Sequence, residues 1–344
     1  MSKENLEMRG HLVISLDYEI HWGVFDNKSV NEYRKNLENV NEVIDRLLEL
    51  SDTYGIKLTF STVGFLFAKN KTDLVNYLPT QKPTYTLNKL NPYDLIDSNG
   101  NNEYEDPFHY AYSKILKIKH NGNHEIGTHT FSHFYCHALG QTIEQFNEDI
   151  NAAINIAQPL DIKISSIVFP KNQINPNDDI DKPYLKVCKK YGITSFRGKE
   201  KSFIYNIHSS KKYRNLFIFK AMKPLDAYFN ITGTNTYNLK AINKNSIIFN
   251  IPSSRFLRPY NTKLKLFEGL KLRRIKKAMT YAAKHNEVYH LWWHPHNFGT
   301  NIDENFKNLE TIFKTYQMLN KSHGFQSETM TSLTEKFNKT RTHD

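Results

Sequence analysis

The sequence predicts an α/β protein with a mostly parallel sheet. Short apolar runs bounded by turn residues alternate along the chain with longer amphipathic runs, which is typical of βαβ units. Polar residues suited to catalysis stand at the ends of several apolar runs, as they do in α/β barrels. A length of 344 residues suffices for one such barrel. Periodicity alone also allows an open doubly wound sheet.

The predicted elements follow from the spacing of apolar residues. Strand-like runs cover residues 11–17, 56–62, 125–129, 165–169, 193–197, 247–251 and 288–294. Helical spacing covers 30–54, 107–120, 143–157, 182–191, 264–284 and 304–319. Residues 78–106 and 203–245 are less regular and are expected to be insertions. We expect one domain over 8–335, followed by a polar C-terminal tail, 336–344.

Composition excludes several classes of protein. Hydrophobic residues make up 39% of the chain and charged residues 24%, which is ordinary for a soluble globular protein. The two cysteines, Cys136 and Cys188, fit neither a disulfide framework nor a metal motif. We expect no signal peptide and no membrane-spanning segment, because the apolar runs are too short. The expected location is cytoplasmic, either free or peripheral on the inner face of the membrane.

Four residues predict a catalytic metal site. His129 and His133 lie four apart, a spacing that places both imidazoles on one side of a helical turn. Asp17 and Glu19 lie two apart at the end of an apolar run, so on a strand they point to the same side. Two imidazoles and one carboxylate bind a divalent ion such as Zn²⁺ and leave positions open for water and substrate.

Three segments carry a family resemblance. They are Leu58-Thr-Phe-Ser-Thr-Val-Gly64, His124-Glu-Ile-Gly-Thr-His-Thr-Phe-Ser-His133 and Leu291-Trp-Trp-His294. In order and wording they resemble the motifs of polysaccharide deacetylases of the NodB-homology group, carbohydrate esterase family 4. The resemblance spans about residues 11–335. It implies a distorted (β/α)7 barrel, similar to a TIM barrel, and a metal-dependent hydrolase that removes an N-acyl group, usually acetyl, from an amino sugar.

The resemblance also implies residue roles. Most members carry adjacent aspartates in Thr-Phe-Asp-Asp-Gly, whereas this chain has Asp17-Tyr18-Glu19. It is similar to the subgroup in which the first acid, Asp17, is the base and the second, Glu19, binds the metal with His129 and His133. The family's histidine acid matches His294. His296 is the alternative acid; otherwise it lines the pocket or caps a turn. His290 is expected to have a supporting or core role.

One family feature is missing from the sequence. The usual Arg-x-Pro motif, whose arginine positions the catalytic aspartate, is replaced by Val168-Phe-Pro170, without an arginine. Lys171 or Arg197 could supply the positive charge, although a lysine cannot reproduce a bidentate guanidinium. Candidate aromatic walls of the substrate pocket are Trp22, Trp292 and Trp293.

The expected substrate is an amino sugar linked to a carrier or a nucleotide, in surface polysaccharide biosynthesis. Two alternatives remain open at this stage. One is a hydrolase of a small cyclic amide or ureide, as in allantoinases. The other is a carbohydrate-binding relative without turnover, which the missing arginine favours and the retained metal motif opposes.

Positive charge is concentrated in one part of the chain. Residues 240–287 contain twelve Lys or Arg and two acids, a local charge of +10 in a chain of net charge +11. Apolar residues such as Leu264, Phe267 and Leu270 should anchor the helix 264–284 and turn its basic side chains outward. A solvated face is one interpretation. We expect peripheral contact with anionic membrane through 263–284. Nucleic acid binding is not expected, because no binding module is present. The oligomeric state stays open.

Overall fold

A computed structural model describes residues 9–201 and 225–341. Over these residues nine strands form one sheet in which every pair is parallel. The strands are β1 (His11–Tyr18), β2 (Thr59–Thr62), β3 (Glu125–Thr128), β4 (Ser166–Ile167), β5 (Ser195–Phe196), β6 (Phe249–Asn250), β7 (Arg255–Phe256), β8 (Val288–Trp293) and β9 (Gln326–Glu328). Their order is β6-β5-β4-β3-β2-β1-β8-β7, and β9 pairs with β1.

One continuous run brings the two ends of this curled sheet together. Strands β6 and β7 are four residues apart and form the two ends of the strand order. The first half of the run 249–256 pairs with β5, and the second half pairs with β8. Residues 249–256 therefore fill one strand position of the barrel, between β5 and β8. This confirms the predicted α/β fold of TIM-barrel type.

Helices surround the sheet. The α-helices are α1 (Val30–Leu37), α2 (Val40–Tyr54), α3 (Lys71–Asn76), α4 (Tyr112–Asn121), α5 (Ile143–Ala157), α6 (Lys182–Lys190), α7 (Leu239–Ile242), α8 (Glu268–His285), α9 (Ile302–His323) and α10 (Met330–Arg341). Short 3₁₀ helices cover Ile20–Gly23, Gly64–Phe67, Asn88–Leu90, Pro92–Leu95, Gln158–Leu160, Pro170–Asn172, Thr262–Phe267 and Pro295–Phe298. In the described parts of the chain, no helix is long and apolar enough to cross a membrane.

The predicted helix 30–54 is two helices, and the break has a structural reason. Asn36 and Asn39 lie on either side of it, and their side-chain amides donate hydrogen bonds to the carbonyl oxygens of His296, at 3.1 Å, and Gly299, at 2.8 Å. These contacts fasten the segment that follows β8. The break therefore positions a loop that carries predicted site residues.

Two short strands, β7 and β9, were not predicted, because the sequence has little local pattern there. β7 and β9 are two and three residues long, too short for a periodic pattern. Residues 336–341, in the predicted tail, belong to α10, and 342–344 lie outside the described residues. The aromatic ring of Phe337 packs on Phe249 and His11, so one apolar residue anchors an otherwise polar segment.

The basic helix also differs from the prediction. A 3₁₀ turn covers its predicted start, and the α-helix begins at Glu268. Lys271 and Arg274 are buried and paired, with Glu268 and Asp226 respectively. Phe267 and Leu270, expected to anchor the helix, are exposed instead. The buried carboxylates draw two cations inward, which a charge count along the sequence cannot show. Most of 203–245, the second predicted insertion, lies outside the described residues.

We predict that Gly127→Ala lowers the free energy of unfolding by about 1–3 kcal/mol, the usual cost of overpacking a core. Gly127 lies on β3, and a Cβ there would overlap the Ser166 hydroxyl and approach the Ser166 carbonyl oxygen to 3.0 Å. Gly269→Ala is the matched control, because its Cβ meets nothing within 4 Å and alanine favours a helix. Urea unfolding measures both changes. Equal stability of the two variants would contradict the prediction.

Candidate metal centre and catalytic groups

The loop after β3 brings His129 and His133 together without a helix. Residues 129–135 have no helical assignment, which corrects the expected helical turn. Thr130 and His133 take φ values of 66° and 57°, in the left-handed region that bulky residues seldom adopt. The loop thus turns back on itself, and the two ring centroids lie 5.0 Å apart. Strain of this kind is typical of functional sites.

Asp149 of α5 holds this strained loop. Its carboxylate accepts hydrogen bonds from the backbone N–H groups of Phe131, at 2.7 Å, and Ser132, at 3.1 Å, and from the Ser132 hydroxyl. Asp149 is buried with no cation at hydrogen-bond distance among the described residues. Burial raises its pKa to about 7, although the three donors oppose that shift.

Glu19 completes a ligand set of the predicted kind. Its Oε2 lies 3.1 Å from Nε2 of His129 and 3.2 Å from Nε2 of His133. Metal–ligand bonds of about 2.0–2.1 Å in a tetrahedron separate neighbouring donors by about 3.3 Å. Two of the three donor–donor distances therefore match a tetrahedral site, and all three donor atoms lie within 4.8 Å of one another. All three residues are buried.

Hydrogen bonding also orients the donors. His129 Nδ1 lies 2.8 Å from the Val168 carbonyl oxygen, which can only accept. Nδ1 therefore carries a proton, which leaves Nε2 to face Glu19 and, when an ion is bound, to offer it a lone pair. Burial opposes ionisation of Glu19, yet the neighbouring histidines His294, His129 and His133 hold the pKa of Glu19 well below its usual value. The donor set thus fits a divalent cation.

Asp17 is bound by Arg197, one of the two candidates for the missing arginine. The two guanidinium nitrogens donate to the two carboxylate oxygens at 2.6 and 2.7 Å. Arg197 follows β5, and Asp17 lies on β1. Burial opposes ionisation of Asp17, but the Arg197 charge outweighs it and holds the pKa of Asp17 below its usual value. The carboxylate is thus kept ionised in one orientation.

A series of hydrogen bonds links Arg197 to Ser15, His290 and the Ile251 carbonyl group. The guanidinium donates to the Ser15 hydroxyl at 3.0 Å, and that hydroxyl lies 2.8 Å from Nε2 of His290. Nδ1 of His290 lies 3.0 Å from the Ile251 carbonyl oxygen. Burial lowers the pKa of His290 to about 3, so the ring is neutral, with Nδ1 as donor and Nε2 as acceptor. Ser15 and His290 are thus each bonded on both sides, and the series ends at the Ile251 carbonyl oxygen.

His294 faces both carboxylates from the end of β8. Its Nε2 lies 3.5 Å from Oε1 of Glu19 and 3.7 Å from Oδ2 of Asp17. Nδ1 lies 3.0 Å from the side-chain oxygen of Asn297, whose amide nitrogen donates to the Tyr33 hydroxyl. Because the amide oxygen of Asn297 faces His294, Nδ1 of His294 donates the hydrogen bond between them. Only Nε2 then faces the carboxylates.

His296 and Trp292 border this centre. The rings of His296 and His294 stack with centroids 5.1 Å apart, and burial lowers the pKa of His296 to about 3. Trp292 is partly exposed, and the Arg197 guanidinium lies 4.1 Å from the centre of its ring system. Trp292 also contacts His294. The structure thus brings both residues to the predicted site.

Trp22, Trp293 and Lys171 do not take their predicted places. Trp22 is 1% exposed and packs among Phe65 and His109, while Trp293 is fully buried against Phe298. Neither indole forms a pocket wall, because both are buried in the core. Lys171 lies over the Tyr135 ring, 3.5 Å from Asp26. It therefore stands apart from the Asp17 carboxylate.

Several contributors were missed from the sequence. Ser15 and Asn297 act through hydrogen bonds to site residues, and Asp149 holds the histidine loop. Gly23 also matters, because a Cβ there would overlap the Glu19 carboxylate. Ser15 lies two residues before Asp17 on β1, so strand alternation could have indicated its position. The other three gave no local signal.

The fold is the α/β barrel shared by polysaccharide deacetylases. The chain matches a protein from Mycobacterium smegmatis assigned as a polysaccharide deacetylase, at 11% identity and TM-score 0.60, over 97% of this chain and 92% of that one. A polysaccharide deacetylase assigned in Pseudomonas aeruginosa PAO1 has 12% identity and TM-score 0.52, over 97% and 93%.

A third similar structure is the PuuE allantoinase, with 11% identity and TM-score 0.53, over 96% of this chain and 90% of that one. No family model matches the sequence, and no curated protein matches it. At these identities the likeness establishes the fold alone.

We predict that His129→Ala and His133→Ala each lose bound divalent metal, because either change removes one of three donors. His120→Ala, at the exposed end of α4, is the matched control and should keep the wild-type metal content. Metal per folded chain is measured by plasma mass spectrometry after dialysis. Stoichiometric metal in both folded variants would place the ion elsewhere.

We predict that Asp149 makes the protein less stable as pH rises from 5.5 to 8. A folded pKa of about 7 exceeds the unfolded value of about 3.9, so the folded state holds the proton more tightly. This contribution is present below about pH 4 and is lost as pH rises through 7, by up to about 4 kcal/mol. Asp149→Asn should lack this slope in denaturant unfolding at several pH values. Parallel pH curves for the two proteins would contradict the assignment.

Proposed function

We propose that the protein is a metal-dependent hydrolase that removes an N-acyl group, typically acetyl, from an amino sugar. The observation that carries the proposal is one cluster that combines a metal-ligand set, an ionised carboxylate and a histidine. Glu19 faces two histidines at metal-ligand spacing, Asp17 is held ionised by Arg197, and His294 lies within 3.7 Å of both carboxylates. Amide hydrolysis needs an electrophile, a base and an acid together.

The proposed ion is Zn²⁺, held by Glu19, His129 and His133. Two imidazole nitrogens and one carboxylate oxygen suit zinc, and three protein ligands leave a position open. When bound, zinc polarises a carbonyl group and lowers the pKa of water.

The chain's own groups supply the proton transfers. Asp17 accepts the proton of the attacking water, because Arg197 keeps it ionised and fixed in orientation. His294 delivers a proton from Nε2 to the departing amine nitrogen, while Asn297 fixes its other ring nitrogen. An amine leaves poorly without that proton. Trp292, partly exposed beside His294, supplies an aromatic face for a sugar ring.

The two alternatives differ in what the structure offers them. The non-catalytic alternative rested on the missing arginine, and Arg197 occupies that role here from another strand. The cyclic-amide alternative has support from the likeness to the allantoinase, whose TM-score is close to those of the deacetylases. Parallel assays with allantoin and with N-acetylated amino sugars separate the two. Turnover of allantoin alone would replace our proposal.

We predict that Asp17→Asn and His294→Ala keep the metal but lose about 10²–10⁴-fold in kcat, because each removes one proton transfer. Release of acetate from an N-acetylated amino sugar measures activity, and metal content is determined on the same samples. Each variant is first checked for cooperative thermal unfolding, since Asp17→Asn leaves Arg197 with a neutral partner.

Two outcomes would change the roles proposed for Asp17, Glu19 and His294. Metal loss in Asp17→Asn, with metal retained in Glu19→Ala, would show that Asp17 is the metal ligand and Glu19 the base. Unchanged activity in His294→Ala would transfer the acid role to His296 or to solvent, which His296→Ala then distinguishes.

A further inference from the structure

Exposed apolar side chains gather where α8 begins. Leu266 is 85% exposed, Phe267 41% and Leu270 37%, and nearby Phe229 is 48% exposed. The rings of Phe229 and Phe267 lie 6.3 Å apart, so the two segments share one surface. Contiguous exposed apolar residues of this kind mark interaction surfaces.

Basic side chains surround these apolar ones. Lys263 and Lys265 lie on the 3₁₀ turn before α8, while Arg273 and Lys277 line a cavity of about 270 Å³ beside Leu270. In the stretch 262–285 every exposed Asp, Glu, Lys or Arg is basic, because Glu268 is buried. We name Phe229, Leu266, Phe267 and Leu270 together with Lys263, Lys265, Arg273 and Lys277 the docking patch.

The docking patch lies on the same side of the barrel as the candidate metal centre. All strands are parallel, so β1, β7 and β8 end on one side, where Asp17 and His294 lie. The chain leaves β7 there and reaches α8 through residues 257–267. The last residue of β7, Phe256, contacts His294 with ring centroids 5.7 Å apart. Lys271 fastens the connection by donating to the Arg258 carbonyl oxygen at 2.9 Å.

We propose that the docking patch binds the surface of an anionic lipid bilayer, so that the site takes an acylated amino sugar carried on a membrane lipid. Apolar side chains enter the interface and basic ones attract anionic headgroups, which together set the strength of peripheral binding. A fully solvated face would account for the basic residues but leaves the apolar ones unexplained. The substrate class rests on the proposed function, whereas the membrane contact does not.

Vesicle sedimentation of the full chain tests the membrane contact. The vesicles contain phosphatidylcholine alone or mixed with phosphatidylglycerol, at low and at high salt. One variant changes Lys263, Lys265, Arg273 and Lys277 to Gln, and another changes Leu266, Phe267 and Leu270 to Ser. Matched controls change the exposed residues Lys163, Lys186, Lys189 and Lys190 to Gln, or Leu139, Ile180 and Met318 to Ser.

We expect binding to the anionic vesicles only, weakened by salt. Each basic side chain at the surface contributes at most about fivefold in affinity, so four Gln changes can weaken binding by up to about 600-fold, and we expect a loss of about tenfold or more. The Ser variant should also lose binding, and both control variants should bind as wild type does. Circular dichroism verifies that all variants remain folded.

The proposal is overturned by equal binding to both vesicle types, by unchanged binding of the Gln and Ser variants, or by equal losses in the controls. Binding of duplex DNA without vesicle binding would assign the patch to nucleic acid instead. Asp17→Asn should bind vesicles normally, and the patch variants should still hydrolyse a soluble acetylated amino sugar. Failure of hydrolysis with intact vesicle binding would therefore reject only the proposed function.

Discussion

The buried ion pair between Asp17 and Arg197 is the interaction on which the site depends. Both side chains are almost fully removed from water, and a buried charge without its partner costs about 3–5 kcal/mol. The bidentate geometry fixes the end of β1, which carries Asp17. It thereby helps to position Glu19, two residues further along the chain. Ser15, His290 and the Trp292 ring surround the guanidinium. His294, the proposed acid, lies 3.7 Å from the same carboxylate.

Local patterns predicted the strands and the α/β class, while the barrel was implied by the family resemblance. The seven predicted strand positions each contain a strand, because buried parallel strands are short, apolar and bounded by turns. Glu19, His129 and His133 were indicated by residue chemistry and by motif, and the structure brings them together. The expected helical turn between the histidines was wrong, because the spacing of four is also met by a strained loop that Asp149 fastens.

Contacts between distant segments could not be predicted in the same way. Arg197 and Lys171 were equal candidates from sequence, and only the pairing of β5 with its neighbours shows which one reaches Asp17. Trp22 looked like a pocket wall because it follows Glu19 closely, yet the 3₁₀ turn sends it into the core. The inward direction of Lys271 and Arg274 likewise depends on buried acids elsewhere in the chain.

Strand β1 pairs with β8, and the hydrogen bond from Ser15 to His290 spans 275 residues. The three proposed metal ligands lie in the first 133 residues of the chain, whereas Arg197 follows well after them and His294 lies near the end. During synthesis, the proposed ligands are thus made well before the proposed acid. Strand β8, which pairs with β1, leads directly into His294. The candidate site therefore stays incomplete until the strand that closes the barrel has been made.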